Sequence, residues 1–184
     1  MNETLKEADQ KMDKAVGVTR EEFAAIRAGR ANPSMFSKLT AEYYGTPTPI
    51  QQLASFTSQD ARTILIAPYD VQAMPAIEKA IRDSDLGVNP SNDGKAIRCV
   101  FPELTEERRK DYIKVARSKA EEGRVSVRNI RRNAKQDLER LEKDGEVGKD
   151  DVTGAEKRLD GLTKKHTDEI DEMLKNKEAE LLEV

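Results

Sequence analysis

The chain has 184 residues, a formal net charge of −3, charged side chains at 36% of its positions and aromatic side chains at 4%. This composition favours long solvated helices over one broad globular core. The single cysteine excludes an internal disulfide framework and indicates a reducing compartment. No run approaches the ~18 apolar residues of a membrane span, and the N-terminus lacks the apolar core of a signal peptide. We therefore expect a soluble, cytoplasmic protein that does not bind membranes.

A first amphipathic helix is predicted over residues 1–29. Its apolar residues recur at helical spacing with charges between them, namely Leu5, Ala8, Met12, Ala15, Phe23 and Ile26. Gly29 followed by Pro33 is a common helix stop signal.

The interval 30–104 has a different character. Six of the seven prolines lie between residues 33 and 90, and glycine, proline and asparagine separate short β-rich runs at 42–44, 53–56, 63–66 and 96–101. One helix is predicted at about 72–84. This interval therefore predicts a small α+β domain inserted between two helices.

Two segments of chain join the inserted domain to the rest. Few other contacts need to cross such a boundary, so relative motion of the two parts is the default expectation. We interpret the boundary as a flexible hinge formed by Arg30, Ala31, Asn32, Pro33, Pro102, Glu103 and Leu104.

Two further helices are predicted after residue 104. Thr105 is a plausible N-cap of a helix reaching residue 143, and a short polar loop at 144–149 precedes a third helix. The short loop makes these two helices antiparallel. Since each helix has one narrow apolar seam, residues 1–29 and 105–184 are predicted to form an elongated antiparallel three-helix bundle. The predicted fold class is α+β.

The second of these helices carries an unusual line of positive charge. Five cations and no carboxylate lie between Gly123 and Asp137, although the chain has 35 acidic residues. Like charges at helical spacing destabilise a helix, so this pattern indicates a polyanionic ligand, of which nucleic acid is the commonest. We call these cations, with those that continue the line at seven-residue intervals, the basic ridge: Lys110, Arg117, Arg124, Arg128, Arg131, Arg132 and Lys135.

Two alternatives to nucleic-acid binding stay open at this point. The arginines could pair with carboxylates on the neighbouring helices, or the ridge could bind an acidic partner, as in a helical adaptor or chaperone-like protein. The aromatic residues of a single-strand binder and any base-reading motif are missing. Recognition of the backbone and shape of a structured RNA fits the sequence better.

The sequence contains no arrangement of residues that is typical of a catalytic site. The chain has one histidine, His166, on the apolar seam of the third helix, and its single thiol, Cys99, lies in an apolar strand-like run. We interpret both as buried structural residues. The acidic residues at 144–151 do not match a calcium loop, and phosphate-binding glycine loops are absent. We therefore expect no catalytic residue, no metal site and no cofactor.

Several long motifs in the same order resemble the bacterial ribosome recycling factor family over the whole chain. They include Arg27-Ala28-Gly29-Arg30-Ala31, Val127-Arg128-Asn129-Ile130-Arg131-Arg132 and the stretches at 42–49, 78–81, 104–110 and 177–181.

The resemblance implies an L-shaped factor with a three-helix bundle and a smaller β/α/β domain. Such factors act with elongation factor G after termination and split the ribosome into subunits. The bundle is expected to bind ribosomal RNA of the large subunit, as a monomer, and the important arginines of the family map to Arg109, Arg128 and Arg131. Arg27 and Arg30 also belong to a family motif. Asn133 and Lys135 stand where Asp and Asn are common in the family, which makes the ridge more basic.

Overall fold

A computed structural model of the chain describes residues 1–26 and 30–183. Its helices and strands are α1 (Asn2–Ala24), β1 (Thr40–Tyr43), β2 (Thr46–Pro49), the short α2 (Ile50–Leu53), β3 (Ala54–Ser58), β4 (Thr63–Pro68), α3 (Met74–Arg82), β5 (Asn89–Asn92), β6 (Ile97–Val100), α4 (Glu106–Lys143) and α5 (Lys149–Leu182). This mixture of long helices and short strands confirms the predicted α+β class. None of the helices in the described ranges is long and apolar enough to cross a membrane.

The contacts within the chain divide it into two compact units. The first unit contains Met1–Phe23 and Ala116–Asn176, and the second contains Ala24–Val115 and Lys177–Val184. Each of the long helices α4 and α5 therefore contributes residues to both units. These bounds differ from the predicted domains of 1–29 with 105–184 and of 30–104, and that division stays a prediction.

The first unit is a bundle of three helices. The buried residues of α1 are Leu5, Ala8, Met12, Val16, Thr19 and Phe23, which follow one another at steps of three and four. On α4 the seam within this unit consists of Ala116, Ala120, Gly123, Val127, Ala134 and Leu138. Lys119 on α4 pairs with Glu22 on α1 at 3.1 Å, whereas Gly123 faces Thr19, so these helices run antiparallel.

Gly123 lies where α4 closely approaches its neighbouring helices in the bundle. A Cβ atom placed on Gly123 would lie 2.3 Å from Oγ1 of Thr19 and 3.1 Å from Cδ1 of Ile170. Both neighbouring helices thus contact α4 where it has no side chain. A larger residue at this position would push α4 away from α1.

The ends of α4 agree with the sequence prediction. Oγ1 of Thr105 accepts a hydrogen bond from the Arg108 amide at 3.2 Å, which confirms Thr105 as the N-cap. After Lys143 the chain turns through Gly145, whose φ of +73° lies in the left-handed region. The amide of Gly145 donates to the carbonyl of Glu142, and α5 then begins at Lys149.

The first helix ends earlier than predicted. Helix α1 stops at Ala24 instead of continuing to residue 29, and Arg27, Ala28 and Gly29 lie outside the described residues. Beyond the helix, Ile26 is buried and Ala31 belongs to the core of the second unit. The Ala31 amide donates to the Ala61 carbonyl at 2.7 Å, a bond that fixes the chain to that unit.

The second unit contains two antiparallel sheets. Strands β1 and β2 form a hairpin, and the larger sheet has the order β3-β4-β6-β5. Its core includes Phe36, Ile64, Ile77 and Phe101, which are all fully buried. The predicted runs correspond to β1, β3, β4 and β6, and the predicted helix corresponds to α3. Strands β2 and β5 were not predicted.

The proposed hinge segments have defined local structure. Asn32 caps a 3-10 turn over Pro33–Phe36 by accepting a hydrogen bond from the Ser34 amide at 3.0 Å. Phe101 donates its amide to the Arg62 carbonyl at 2.7 Å, and Leu104 is buried. A hinge role for these segments stays a prediction.

Candidate nucleic-acid interface

All the cations of the predicted basic ridge lie on α4. Arg117 and the five cations that follow it belong to the first unit, whereas Arg109 and Lys110 lie in the first turns of the helix and belong to the second unit. The two groups are therefore described separately.

Arg124 is the most buried guanidinium for which the structure records ion pairs. Its Nε donates to Oδ1 of Asp171 on α5 at 2.7 Å, and its Nη1 lies 2.9 Å from Oε2 of Glu121. Its side chain is only 20% exposed. Burial lowers the pKa of Arg124, but the hydrogen bonds to Asp171 and Glu121 outweigh it, so the pKa stands above its ordinary value. This arginine is held in place by two carboxylates.

Arg131 and Arg128 also have carboxylate partners. The Nε of Arg131 donates to Oδ1 of Asp160 on α5 at 2.7 Å, and the Nη1 of Arg128 donates to Oε1 of Glu121 at 3.1 Å. Glu121 therefore binds both Arg124 and Arg128, and these bonds lower the pKa of its carboxyl group. These side chains are more open to solvent than Arg124, with 39% of Arg131 and 54% of Arg128 exposed.

The basic ridge is therefore not a line of unneutralised guanidinium groups. The sequence between residues 123 and 137 contains no carboxylate, but α5 supplies Asp160 and Asp171 from the side, and Glu121, two residues before Gly123, reaches Arg128. The alternative in which the arginines pair with neighbouring helices holds for Arg124 and Arg131.

Open donors nevertheless remain on this face. Within residues 1–26 and 30–183, the exposed Arg132 makes no recorded hydrogen bond or ion pair, and the terminal nitrogens of Arg131 make none either. Lys135 has a long contact of 3.9 Å to Glu139. Arg117 is exposed and takes part in a further interaction, so it is not a free cation.

The cations at the start of α4 differ from each other. Lys110 pairs with Glu106 one turn earlier at 3.2 Å, and both side chains are strongly exposed. Arg109 is half-buried, and its Nε atom is enclosed without a hydrogen-bond partner among the described residues. Of these two cations, Lys110 is the more exposed to solvent.

The two residues that we interpreted as structural are buried. Cys99 is fully enclosed in β6, and burial raises the pKa of its thiol to about 12, with a smaller contribution from Glu78. His166 is 1% exposed, and its Nε2 lies 2.7 Å from Oδ1 of Asp9. In the acidic loop, Asp151 accepts a hydrogen bond from the Gly148 amide at 3.3 Å, as expected of a residue at a helix N-terminus.

Sequence reasoning missed the carboxylates that face the ridge. Asp171 and Asp160 lie 11 residues apart on α5, whereas their partners Arg124 and Arg131 lie seven apart on α4, in the opposite direction. The antiparallel order of the two helices was the available signal, but because the spacings differ by about one helical turn, pairing the helices residue by residue would not have given both contacts. Asp9, which binds His166 from α1, carried no comparable signal.

Comparison with known proteins identifies relatives along the whole chain. The family model described as ribosome recycling factor matches residues 19–182. The ribosome-recycling factor of a Nocardioides species is 78% identical over 184 residues, and that of Acidothermus cellulolyticus is 67% identical, with both chains fully covered in each case.

Solved structures agree with the sequence relatives. The solution structure of a ribosome recycling factor matches with a TM-score of 0.80 and 39% identity, covering 100% of this chain and 97% of the other. A second match, with a TM-score of 0.69 and 43% identity over 99% of this chain and 98% of the other, comes from models of the T. thermophilus ribosome recycling factor and the E. coli elongation factor G bound to the E. coli post-termination complex. With a bundle, a small sheet unit and full-length relatives in agreement, the chain belongs to the ribosome recycling factor family.

Proposed function

We propose that this protein acts with elongation factor G to split post-termination ribosomes into subunits, and that the basic ridge of α4 binds phosphates of large-subunit ribosomal RNA. Membership of the family over residues 19–182 is the observation that carries the first part. A similar structure, 43% identical, lies with elongation factor G on a post-termination complex, which supports the choice of partners. The relatives that match the full chain are ribosome-recycling factors, which argues against the helical adaptor interpretation.

The ion pairs on the ridge are compatible with phosphate binding. Exposed pairs of this kind contribute about 0.2–1 kcal/mol each, so a polyanion can compete with them. The carboxylate of Asp160 holds only the Nε of Arg131, which leaves the terminal nitrogens of the guanidinium group directed elsewhere. A guanidinium group fixed in this way loses less side-chain entropy when it binds phosphate oxygens.

The open cations define where RNA contact would begin. Arg128, Arg132 and Lys135 lie on successive turns of α4. The side chains of Arg128 and Lys135 are 54% and 42% exposed, and the exposed Arg132 has no partner within the described residues. Contacts of this type recognise the backbone and not the base sequence. Arg109, Lys110 and Arg117 would extend the same contact toward the start of the helix.

We propose further that the segments at 30–33 and 102–104 act as a hinge during splitting. The chain carries no phosphate-binding glycine loop, so the energy would come from GTP hydrolysis in elongation factor G. The protein would then work as a monomeric, non-catalytic wedge that transmits force through its helices.

A subunit-splitting assay tests this function directly. Post-termination ribosomes are incubated with the protein alone, with elongation factor G and GTP alone, and with both, and free subunits are measured by light scattering. We expect splitting only when both are present. Splitting by either component alone, or none with both, would refute the proposal, and a non-hydrolysable GTP analogue serves as the control for the energy source.

A further inference from the structure

Three potential metal ligands from two helices meet inside the first unit. Asp13 lies on α1, His166 and Glu169 lie on α5, and one ligand atom from each residue lies within 4.8 Å of the other two. Histidine nitrogen with carboxylate oxygens is a donor set that suits zinc and its neighbours among divalent transition metals. Acidic clusters on helix surfaces are common without any ion, so the case for a metal site depends on the histidine.

His166 is oriented like a metal-ligating histidine. Its side chain is 1% exposed, and its Nε2 lies 2.7 Å from Oδ1 of Asp9. When Nε2 carries the proton and donates to Asp9, the lone pair of the imidazole is on Nδ1. Histidine ligands almost always donate their other ring N–H to a carboxylate or a carbonyl in this way, which fixes the tautomer and makes the free nitrogen a better ligand.

The other ring nitrogen has no hydrogen-bond partner among the described residues. Nδ1 of His166 is buried and forms no hydrogen bond with any part of the chain that the structure describes, although Oε1 of Glu169 lies 3.5 Å away. A lone pair facing a carboxylate is unfavourable, and burying a polar atom without a hydrogen bond costs its desolvation free energy. A positive centre between Nδ1 and Glu169 would remove both costs.

We propose that Asp13, His166 and Glu169 bind one divalent transition-metal ion, with zinc as the best fit. Nδ1 of His166 and one carboxylate oxygen each from Asp13 and Glu169 would be the protein ligands, and water would complete a tetrahedral shell. Asp9 would be a positioning residue that holds the imidazole. This departs from the expectation, drawn from the sequence, that the chain has no metal site.

Modest side-chain movement would bring the ligands into range. Ligands about 2.0–2.2 Å from zinc in a tetrahedron lie roughly 3.4 Å from one another. His166 is fixed by its burial, but Asp13 is exposed and the Glu169 side chain is 34% exposed. Rotation of these two carboxylates can contract the cluster without moving either helix.

The same geometry allows one competing explanation. A doubly protonated His166 would donate from Nε2 to Asp9 and from Nδ1 to Glu169, and would then repel a cation. Asp13 does not take part in that arrangement, so its contribution to zinc binding separates the two explanations.

A bound ion would join α1 to α5. Since the ligands come from both helices, an ion that binds only the folded bundle would stabilise it in proportion to its concentration above the dissociation constant. The proposed role is structural and is independent of the RNA-binding proposal.

The test uses the full chain, freed of metal with a chelator and titrated with zinc chloride at pH 7 by calorimetry. We expect one saturable site per chain and a rise in the melting temperature at saturation. Asp13→Asn and Glu169→Gln should each weaken binding by at least about tenfold, and Asp9→Asn by about 10- to 100-fold. Glu7→Gln, which removes an exposed carboxylate of α1 outside the cluster, should leave the affinity unchanged.

A spectroscopic readout identifies the ligand atom. His166 is the one histidine of the chain, so its ring nitrogens give one set of imidazole signals, and zinc should shift that of Nδ1 while the Nε2 proton is retained. No saturable binding, equal affinity in the parent and the Asp13→Asn and Glu169→Gln variants, or zinc binding that leaves the imidazole signals unchanged would overturn the proposal. A ring protonated on both nitrogens in the presence of excess zinc would overturn it as well.

Discussion

The Nε atom of Arg131 lies 2.7 Å from Oδ1 of Asp160, so a carboxylate of α5 occupies one edge of a guanidinium group on α4. The contact reduces the positive charge that the ridge presents, yet it also fixes the orientation of the group. These two effects would make opposite contributions to the proposed RNA binding, and they can be separated by substitution.

Replacing Asp160 by asparagine should strengthen binding to the large subunit. Asparagine keeps an oxygen that can accept from Nε of Arg131, while the negative charge is removed. We expect the affinity to rise roughly 1.5- to 5-fold, the range that corresponds to one exposed charge interaction. Binding is measured by sedimentation with purified large subunits at low salt, with Asp168→Asn, an exposed α5 carboxylate that pairs with Lys164, as the control. Weaker binding would show that the ion pair itself is needed.

Reversing the charge of Arg132 should weaken binding and reduce its salt dependence. Each phosphate contact that is lost lowers the slope of log affinity against log salt by about 1. Arg132→Glu is therefore expected to bind less tightly and to respond less to added salt. Arg20→Glu on α1 makes the same change of charge on another exposed helix position. If both variants lose the same affinity, the effect comes from net charge and the ridge assignment fails.

Substitution of Gly123 by alanine should destabilise the bundle. The new Cβ would lie 2.3 Å from Oγ1 of Thr19, and strain from overpacking of this kind costs roughly 1–3 kcal/mol. Gly161 is the matched control, because no described atom lies within 4 Å of a Cβ placed there. Gly161→Ala should increase the free energy of unfolding by roughly 0.5–1 kcal/mol. Urea denaturation followed by helical circular dichroism measures both, and a stabilised Gly123→Ala variant would contradict the close approach.

Tyr43 should be the last of the four tyrosines to ionise. Its hydroxyl group donates to Oδ2 of Asp70 at 2.9 Å, and this hydrogen bond, with smaller effects of burial and of the Asp70 charge, raises the pKa of Tyr43 to about 12. Because the folded state holds the proton more tightly, the stabilisation is present below pH 10 and is lost as the pH rises from about 10 to about 12.

Absorbance titration of tyrosinate measures this order of ionisation. Asp70→Asn should bring the late transition back toward the pKa of an ordinary tyrosine, whereas Asp85→Asn, at an exposed carboxylate of the same unit, should not. Four coincident transitions in the parent protein would refute the assignment.

The parts of the fold that the sequence predicted are those with strong local signals. The seam of α4 and the Thr105 cap follow from periodicity and capping chemistry, and both agree with the structure. Strands β2 and β5 contain Thr46-Pro47-Thr48-Pro49 and Asn89-Pro90-Ser91-Asn92, and the prolines and asparagines of these segments disfavour strands on their own. Pairing with β1 and β6 holds them in place, and a sequence window does not contain that partner.

The candidate site was only partly predictable for a similar reason. The positions of Arg124 and Arg131 on one face of α4 follow from their spacing, but their ion pairs depend on Asp171 and Asp160, 47 and 29 residues away in sequence. Such contacts require the register of two helices. The unpartnered nitrogen of His166 likewise depends on a side chain from α1 that is 157 residues away.

The burial of Cys99 has a practical consequence. Because the thiol of the one cysteine is fully enclosed, with its pKa raised to about 12, it stays protonated and out of reach of peroxide, disulfides and maleimide dyes near neutral pH. Copies of the chain are thereby protected against cross-linking in air. A fluorophore can then be attached to a cysteine introduced on the surface of either unit while the native residue is left intact, which makes distance measurements between labelled positions straightforward.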